Sequence, residues 1–202
     1  MSWPTGRDRK QSGGELAVGN VPVSMIRRSL DDVPQYVLPA PYRVVWYRPG
    51  CEEWWRRIQT AADRFNTIGP DLFEVEFGTD EALLSQRQCF LLDERGVPFA
   101  TATAWFNDDY GGRPFGRVHW VAIVPEMQGR GLSKPLLTLV CNRLRELGHE
   151  RAYLTTSTAR IPAINLYLKF GFVPEIRTAS DAALWRVVMQ RLARKSGRTN
   201  LG

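Results

Sequence analysis

The chain has 202 residues, 44% apolar and 24% charged, which is long enough to bury one good core, so one domain with tails is the expectation. No run approaches the roughly 20 apolar residues of a membrane span, and the opening MSWPTGRDRK lacks the apolar stretch of a secretory signal, which together point to a cytoplasmic protein with no membrane partner. The net charge of +6 belongs to the ends: Arg7, Arg9 and Lys10 against Asp8 give +2 over residues 1–10, and Arg191, Arg194, Lys195 and Arg198 give +4 over residues 191–202. The body between them is neutral, which argues against a nucleic-acid partner.

Residues 1–20, rich in Gly, Ser and charge, have no sustained apolar period and read as a disordered basic tail. Residues 21–41 combine prolines with short apolar pieces (Val21, Val23, Met25, Ile26; Tyr36, Val37, Leu38) and read as an arm lying across the domain. The domain proper is expected over residues 42–192. Tyr42 to Tyr47 is strand-like, and Glu52 to Phe65 sets Trp54, Trp55, Ile58, Ala61, Ala62 and Phe65 on one helical face. Thr79 or Asp80 caps a second helix running to about Gln88. Phe90 to Asp93 and Phe99 to Phe106 flank the turn Glu94-Arg95-Gly96 as a hairpin, and Gly116 to Val124 is a further strand. Leu132, Leu136, Val140, Leu144 and Leu147 recur at helical spacing up to Gly148, which suits the left-handed residue at a helix end. Ala152 to Thr156 reads as a strand, Ile161 to Phe170 as a helix closed by Gly171, Trp185 to Leu192 as a last strand, and residues 193–202 as a basic tail. The pattern predicts a single α+β domain around one mixed sheet, with an N-terminal extension. Cys51, Cys89 and Cys141 are widely spaced, without a CxxC or Cys/His cluster, so they read as buried small hydrophobes with no metal site among them.

The informative stretch is HWVAIVPEMQGRGLSKPLLTLV, in which an apolar strand enters a glycine-containing turn and then an amphipathic helix. A helix start leaves backbone N–H groups without internal partners and carries partial positive charge, so it suits a phosphate if the backbone can approach closely. Gly129 and Gly131 permit that approach, and Pro135 falls in the first turn, where its missing N–H costs little. The stretch is neither a Walker A sequence nor GxGxxG.

About 30 residues on comes AINLYLKFGF. With these two elements the chain resembles the GNAT superfamily of N-acetyltransferases, whose cofactor motif reads Q/R-x-x-G-x-G/A after a strand. Here that motif is Gln128, Gly131 and Ser133, preceded by Val121, Ile123 and Pro125, and the second element, L-Y-x-x-x-G-F, is Leu166, Tyr167, Gly171 and Phe172. Ser133 stands where Gly or Ala is usual. Arg160 replaces the asparagine that many members carry seven residues before the tyrosine, while Asn165 sits two before it.

The resemblance implies a GNAT-like mixed, mostly antiparallel sheet flanked by helices, and acetyl-CoA or another acyl-CoA as cosubstrate. Its pantetheine would pair along the backbone near Ile123 and Val124, and its pyrophosphate would meet N–H groups of Gln128, Gly129, Arg130, Gly131, Leu132 and Ser133, with Asn165 a further contact. Arg130 and Lys134 read either as charge toward those phosphates or as a solvated helix start. The implied activity is acyl transfer to a primary amine, a small molecule or a peptide, by direct transfer in a ternary complex; pairing as a homodimer is common in the superfamily. Tyr167 is then the acid that protonates the departing thiolate, against a reading as a core aromatic. His119, on the same strand as Ile123, is either a general base or a hydrogen-bonded sheet histidine. His149 reads as a surface turn residue. Asp71, Glu74, Glu76, Asp80 and Glu81 could draw a cationic amine or be an ordinary solvated loop and helix start. Asp108 and Asp109, beside Tyr110-Gly111-Gly112, form a hairpin tip that borders the acceptor site or is plain polar loop, and Trp54, Trp55 and Trp120 are pocket walls or core. The competing class is a non-catalytic acyl-CoA-binding or regulatory domain of the same shape.

Overall fold

The computed structural model describes residues 19–198, so most of the predicted N-terminal tail lies outside the described residues. Seven strands form one sheet in the order β2-β3-β4-β5-β6-β1-β7. They are β1 (Pro22–Arg27), β2 (Arg43–Trp46), β3 (Gln88–Leu92), β4 (Pro98–Asn107), β5 (Phe115–Ile123), β6 (Ala152–Ser157) and β7 (Val173–Pro174). Every adjacent pair is antiparallel except β5 and β6, which run parallel. The mixed, mostly antiparallel sheet expected from the sequence is therefore the sheet observed.

Local chemistry explains the joints. In the β3–β4 turn, Asp93 Oδ1 accepts from the backbone N–H groups of Arg95 (3.0 Å) and Val97 (2.8 Å), while Gly96 takes the left-handed φ of 79° that closes the hairpin. The helix α4 (Ser133–Glu146) buries Leu136, Leu137, Val140, Cys141 and Leu144 completely against one face of the sheet. Each such side chain contributes about 2 kcal/mol by leaving water. Helices α5 (Ile161–Lys169) and α6 (Ala179–Arg198) share that core through Ile164, Tyr167, Trp185 and Val188. The opposite face packs an aromatic cluster under α1 (Cys51–Ala62) and α2 (Leu72–Phe77): Trp55 meets Phe73, Phe77 and Trp120 edge to face, with centroids 5.1–5.6 Å apart. The short α3 (Glu81–Arg87) starts at Asp80, whose carboxylate accepts from Leu83 N–H at 2.9 Å. All three cysteines are buried and free.

Three expectations are corrected. The segment 21–41 is an arm only in its second half; its first half is β1, seated between β6 and β7 with Pro22 opposite Ser157 and Arg27 opposite Ala152. The remainder does lie on α4: Thr138 Oγ1 donates to Pro34 O at 2.8 Å and accepts from Tyr36 N–H at 3.2 Å, and Gln35 pairs with Asn142. Trp185 to Leu192 is helix, not strand. Thr178 and Asp181 form a capping box, Asp181 N–H donating to Thr178 Oγ1 (3.1 Å) and Thr178 N–H to Asp181 Oδ2 (2.8 Å). From there Leu184, Trp185, Val188 and Leu192 turn one helical face to the core. The basic stretch from residue 193 continues this helix to Arg198 instead of starting a tail.

Candidate functional site

The parallel pairing of β5 with β6 lasts two residues, Gly116 with Ala152 and Arg117 with Tyr153, whereas β5 stays paired with β4 as far as Ile123. The edge of β5 beyond Arg117 therefore faces a gap in the sheet, where side chains take some of the backbone acceptors, Gln59 Nε2 donating to Trp120 O at 2.9 Å. Within that edge lies a bulge. Thr103 pairs with His119 and Thr101 with Ala122, so Trp120 and Val121 together oppose Ala102, and Trp120 takes a left-handed φ of 47°. Normal alternation would turn His119 and Trp120 to opposite faces. The bulge turns both toward α2, where one oxygen, Glu76 Oε2, receives Trp120 Nε1–H and His119 Nε2, each at 2.9 Å.

The electrostatics of this trio follow from burial and contact. The His119 bond holds the Glu76 carboxyl down at about 2, against burial, which raises it, with Trp120 and Arg117 adding to the depression. Burial pushes His119 down to about 4; Glu76 pulls the other way and Arg117 again lowers it. Glu76 is thus an anion and His119 neutral at physiological pH. The anion accepts, so the imidazole proton sits on Nε2 and Nδ1 carries the lone pair.

At the end of β5 the chain passes through a 3-10 turn (Pro125–Met127) into the turn before α4. Gly129 and Gly131 have φ of 75° and 78°, and a Cβ on either would meet nothing within 4 Å, so their backbones line open space. Among the described residues, no acceptor is found for the backbone N–H groups of Gly129, Arg130, Gly131, Leu132 or Ser133. Gln128 Nε2 donates to Ile123 O at 2.8 Å and braces the turn against the strand, and Leu132 is buried beneath it. A contiguous run of N–H groups without acceptors at a helix start, beside open space, suits a diphosphate.

The structure thus sets Ile123, Val124, Gln128, Gly129, Arg130, Gly131, Leu132 and Ser133 along one strand end, turn and helix start, but the Gln128 N–H expected to be open is already given to Pro125 O at 3.1 Å. Lys134 is turned elsewhere, its ammonium 5.0 Å from the Tyr36 ring, and Arg130 Nη2 donates to Glu126 O at 3.2 Å. Asn165 is exposed on α5, and its side chain makes no hydrogen bond among the described residues. Tyr167 is buried in the α4 core beside Phe172; burial pushes its hydroxyl up to about 12, and that hydroxyl has no protein partner among the described residues. Arg160, the residue that departs from the superfamily pattern, is paired with both oxygens of Asp63 at 2.8 Å, joining the end of α1 to the start of α5.

The other candidates divide. Trp55 is core, Trp54 packs on Phe90, and Trp120 belongs to the Glu76 trio. His149 is half-buried, not a surface residue, with Nε2 sealed from solvent. The tip at Asp108 and Asp109 is folded back: Tyr110 stacks on Tyr153 at 3.7 Å and its hydroxyl bonds Glu175. Sequence reasoning missed Glu76 as a partner of His119, and it missed Arg117. The available signal was His119-Trp120, two adjacent large side chains in a strand that must either bulge or bury both faces.

The family model described as "Acetyltransferase (GNAT) family" matches residues 49–172. A mycothiol acetyltransferase of Saccharomonospora viridis is 41% identical over 63 residues, covering 31% of this chain and 21% of that protein. A mycothiol acetyltransferase of Pseudarthrobacter chlorophenolicus is 38% identical over 146 residues, 70% of this chain and 45% of that protein. This chain therefore spans less than half the length of the curated relatives it matches. Among solved structures, a GCN5-related N-acetyltransferase from Sphaerobacter thermophilus superposes with a TM-score of 0.58 at 19% identity, over 78% of this chain and 50% of that one, a likeness of fold.

Proposed function

This chain belongs to the acetyltransferase (GNAT) family, and on that premise we propose that it transfers an acetyl group from acetyl-CoA to the primary amine of a small molecule. The observation that carries the proposal is the open main-chain cradle from Gly129 to Ser133, set at the end of a strand whose edge is unpaired. The cradle would hold the pyrophosphate, and the β5 edge between the bulge and Ile123 would take the pantetheine as an extra strand. Acetyl-CoA supplies an activated acyl group. The mycothiol acetyltransferases among the relatives make small-molecule amines the acceptors to screen first.

The chain's own residues supply the rest. A backbone N–H on the free β5 edge, near Ile123, donates to the oxygen that gains charge during attack. An acceptor ammonium first releases one proton to solvent. The neutral nitrogen then bonds to the acyl carbon as the carbon–sulfur bond breaks, and the nitrogen's surplus proton passes to His119 Nδ1. Glu76 stabilises the imidazolium so formed. Tyr167, protonated at any physiological pH, gives the departing sulfur its proton and regains one from solvent. No cysteine is placed as an acyl carrier: Cys89 and Cys141 are buried thiols pushed up to about 12 by burial.

Calorimetry with CoA, together with thiol release from acetyl-CoA over an amine library, tests the reading. CoA binding with turnover of at least one amine supports it. CoA binding with no turnover that Tyr167→Phe or His119→Ala can reduce makes the chain a binder, and no CoA heat removes the cradle.

A further inference from the structure

We infer that Arg117 is a carboxylate anchor, and that the acceptor is a short free amino acid held between Arg117 and His119. The inference rests on the acyltransferase reading and names the substrate class of the same site. Arg117 lies on β5 two residues before His119, on the same face of the sheet, and is half-exposed. Its guanidinium sits 5.7 Å from the centroid of Tyr153, the residue it faces on β6. Among the described residues it makes no hydrogen bond and no ion pair, and its Nε is sealed from solvent with no acceptor. A buried donor left unpaired is costly, and a flat guanidinium held against a ring offers a preorganised fork.

The charges nearby are already taken. Glu76 accepts from His119 and Trp120, and Glu175, bonded to the Tyr110 that stacks on Tyr153, accepts also from Arg177. Glu76 reaches Arg117 only at longer range, as a Coulombic influence. Arg117 is thus a cation of this face with no hydrogen bond or ion pair among the described residues, and a planar carboxylate matches its fork with two parallel bonds. Beside it the face is polar and open: Thr155 is exposed in the middle of β6, with Ser24 of β1 opposite it.

Spacing narrows the class. Alternate residues on an extended strand lie about 7 Å apart, so an amine delivered to His119 and a carboxylate at Arg117 belong to one small molecule. The amine and carboxylate of a free amino acid lie closer than that strand spacing, least so in the γ-amino acids, and the long Arg117 side chain closes the difference; the α-amine of a protein N-terminus has no such carboxylate beside it.

The test offers free amino acids, β-alanine and γ-aminobutyrate, each beside its carboxamide, with acetyl-CoA, following thiol release; saturation-transfer NMR in the presence of CoA reads binding without turnover. Acids should exceed their amides in kcat/KM by about 10- to 100-fold, mainly through KM. Arg117→Gln should collapse that ratio toward one and abolish acid binding by NMR, with Arg117→Lys restoring part of it. Because Arg117 also depresses His119, the ratio is the deciding quantity, not either rate alone. Amides or polyamines used as well as acids, a ratio unmoved in Arg117→Gln, or no acid bound in the presence of CoA overturns the anchor while leaving acyl transfer standing. Absence of both CoA binding and amine turnover removes the acyltransferase reading as well.

Discussion

The two halves of the site are built from different material. The turn at residues 129–133 consists of main-chain N–H groups on a contiguous run, whereas the proposed acceptor side consists of side chains gathered from α2 and β5, with Glu76 and His119 43 positions apart. A main-chain site tolerates side-chain change so long as its glycines keep their conformation; a side-chain site is set by the particular groups brought together. The same fold can therefore hold the proposed CoA cradle constant and vary what lies opposite.

The sharpest way to break the comparison is chemical. Tyr167→Phe is expected to lower kcat by about 10²- to 10³-fold with the CoA dissociation constant little changed, read by steady-state kinetics and calorimetry. Next, Gly131→Val both strains a left-handed residue and fills the cradle, so CoA affinity should fall by about 100-fold while acceptor KM, where measurable, stays within a few-fold. Third, Glu76→Gln should lower kcat by about 10-fold, because the neutral amide no longer stabilises an imidazolium. The acid limb of the wild-type profile should lie near pH 4, where His119 titrates, and it should move lower in that variant.

The same pair predicts a slope in stability. Below the ordinary histidine value of 6.5 the unfolded chain takes up a proton that folded His119 refuses until about 4. Below 4.5 the unfolded chain likewise protonates Glu76, which the fold keeps ionised to about 2. In both windows the unfolded state binds more protons, so stability falls as pH drops, by at most about 1.4 kcal/mol per pH unit for each group. Denaturant melts of His119→Gln should be flatter than wild type between pH 6.5 and 4. The smallest effect expected is for Ser133→Ala, whose contribution is a backbone N–H: CoA affinity should stay within about threefold.

This division also explains what the sequence disclosed. Gly129, Gly131 and the leucines of α4 lie in one stretch, so the cradle and its helix are visible as text. The β3–β4 hairpin was legible because Glu94-Arg95-Gly96 is a local turn. Arg117 and His119 share a face by plain alternation, but Trp120 reaches Glu76 beside His119 only through a bulge that shifts strand parity, and no local period records that. The six-residue α2 is too short to show a helical period, though Phe73 and Phe77 stand four apart. Trp185 to Leu192 misled because Val187, Val188 and Met189 suit a strand as well as a helix; the overlooked signal was the Thr178–Asp181 capping box. β1 was hidden by its proline and by Arg27, a charged residue in a buried position whose Nη1 donates to the Phe170 carbonyl at the end of α5.

The seating of β1 between β6 and β7 bears on how the molecule assembles. Its partners lie 125 to 149 residues further along the chain, so this pairing closes one of the largest loops in the domain and is entropically disfavoured until its slot exists. During synthesis residues 22–27 must wait unpaired until residue 157 has left the ribosome, and their second edge stays open until residue 174 has. We expect the α4-centred body to organise first and this segment to dock last, and a substitution such as Met25→Ala to speed unfolding more than it slows folding.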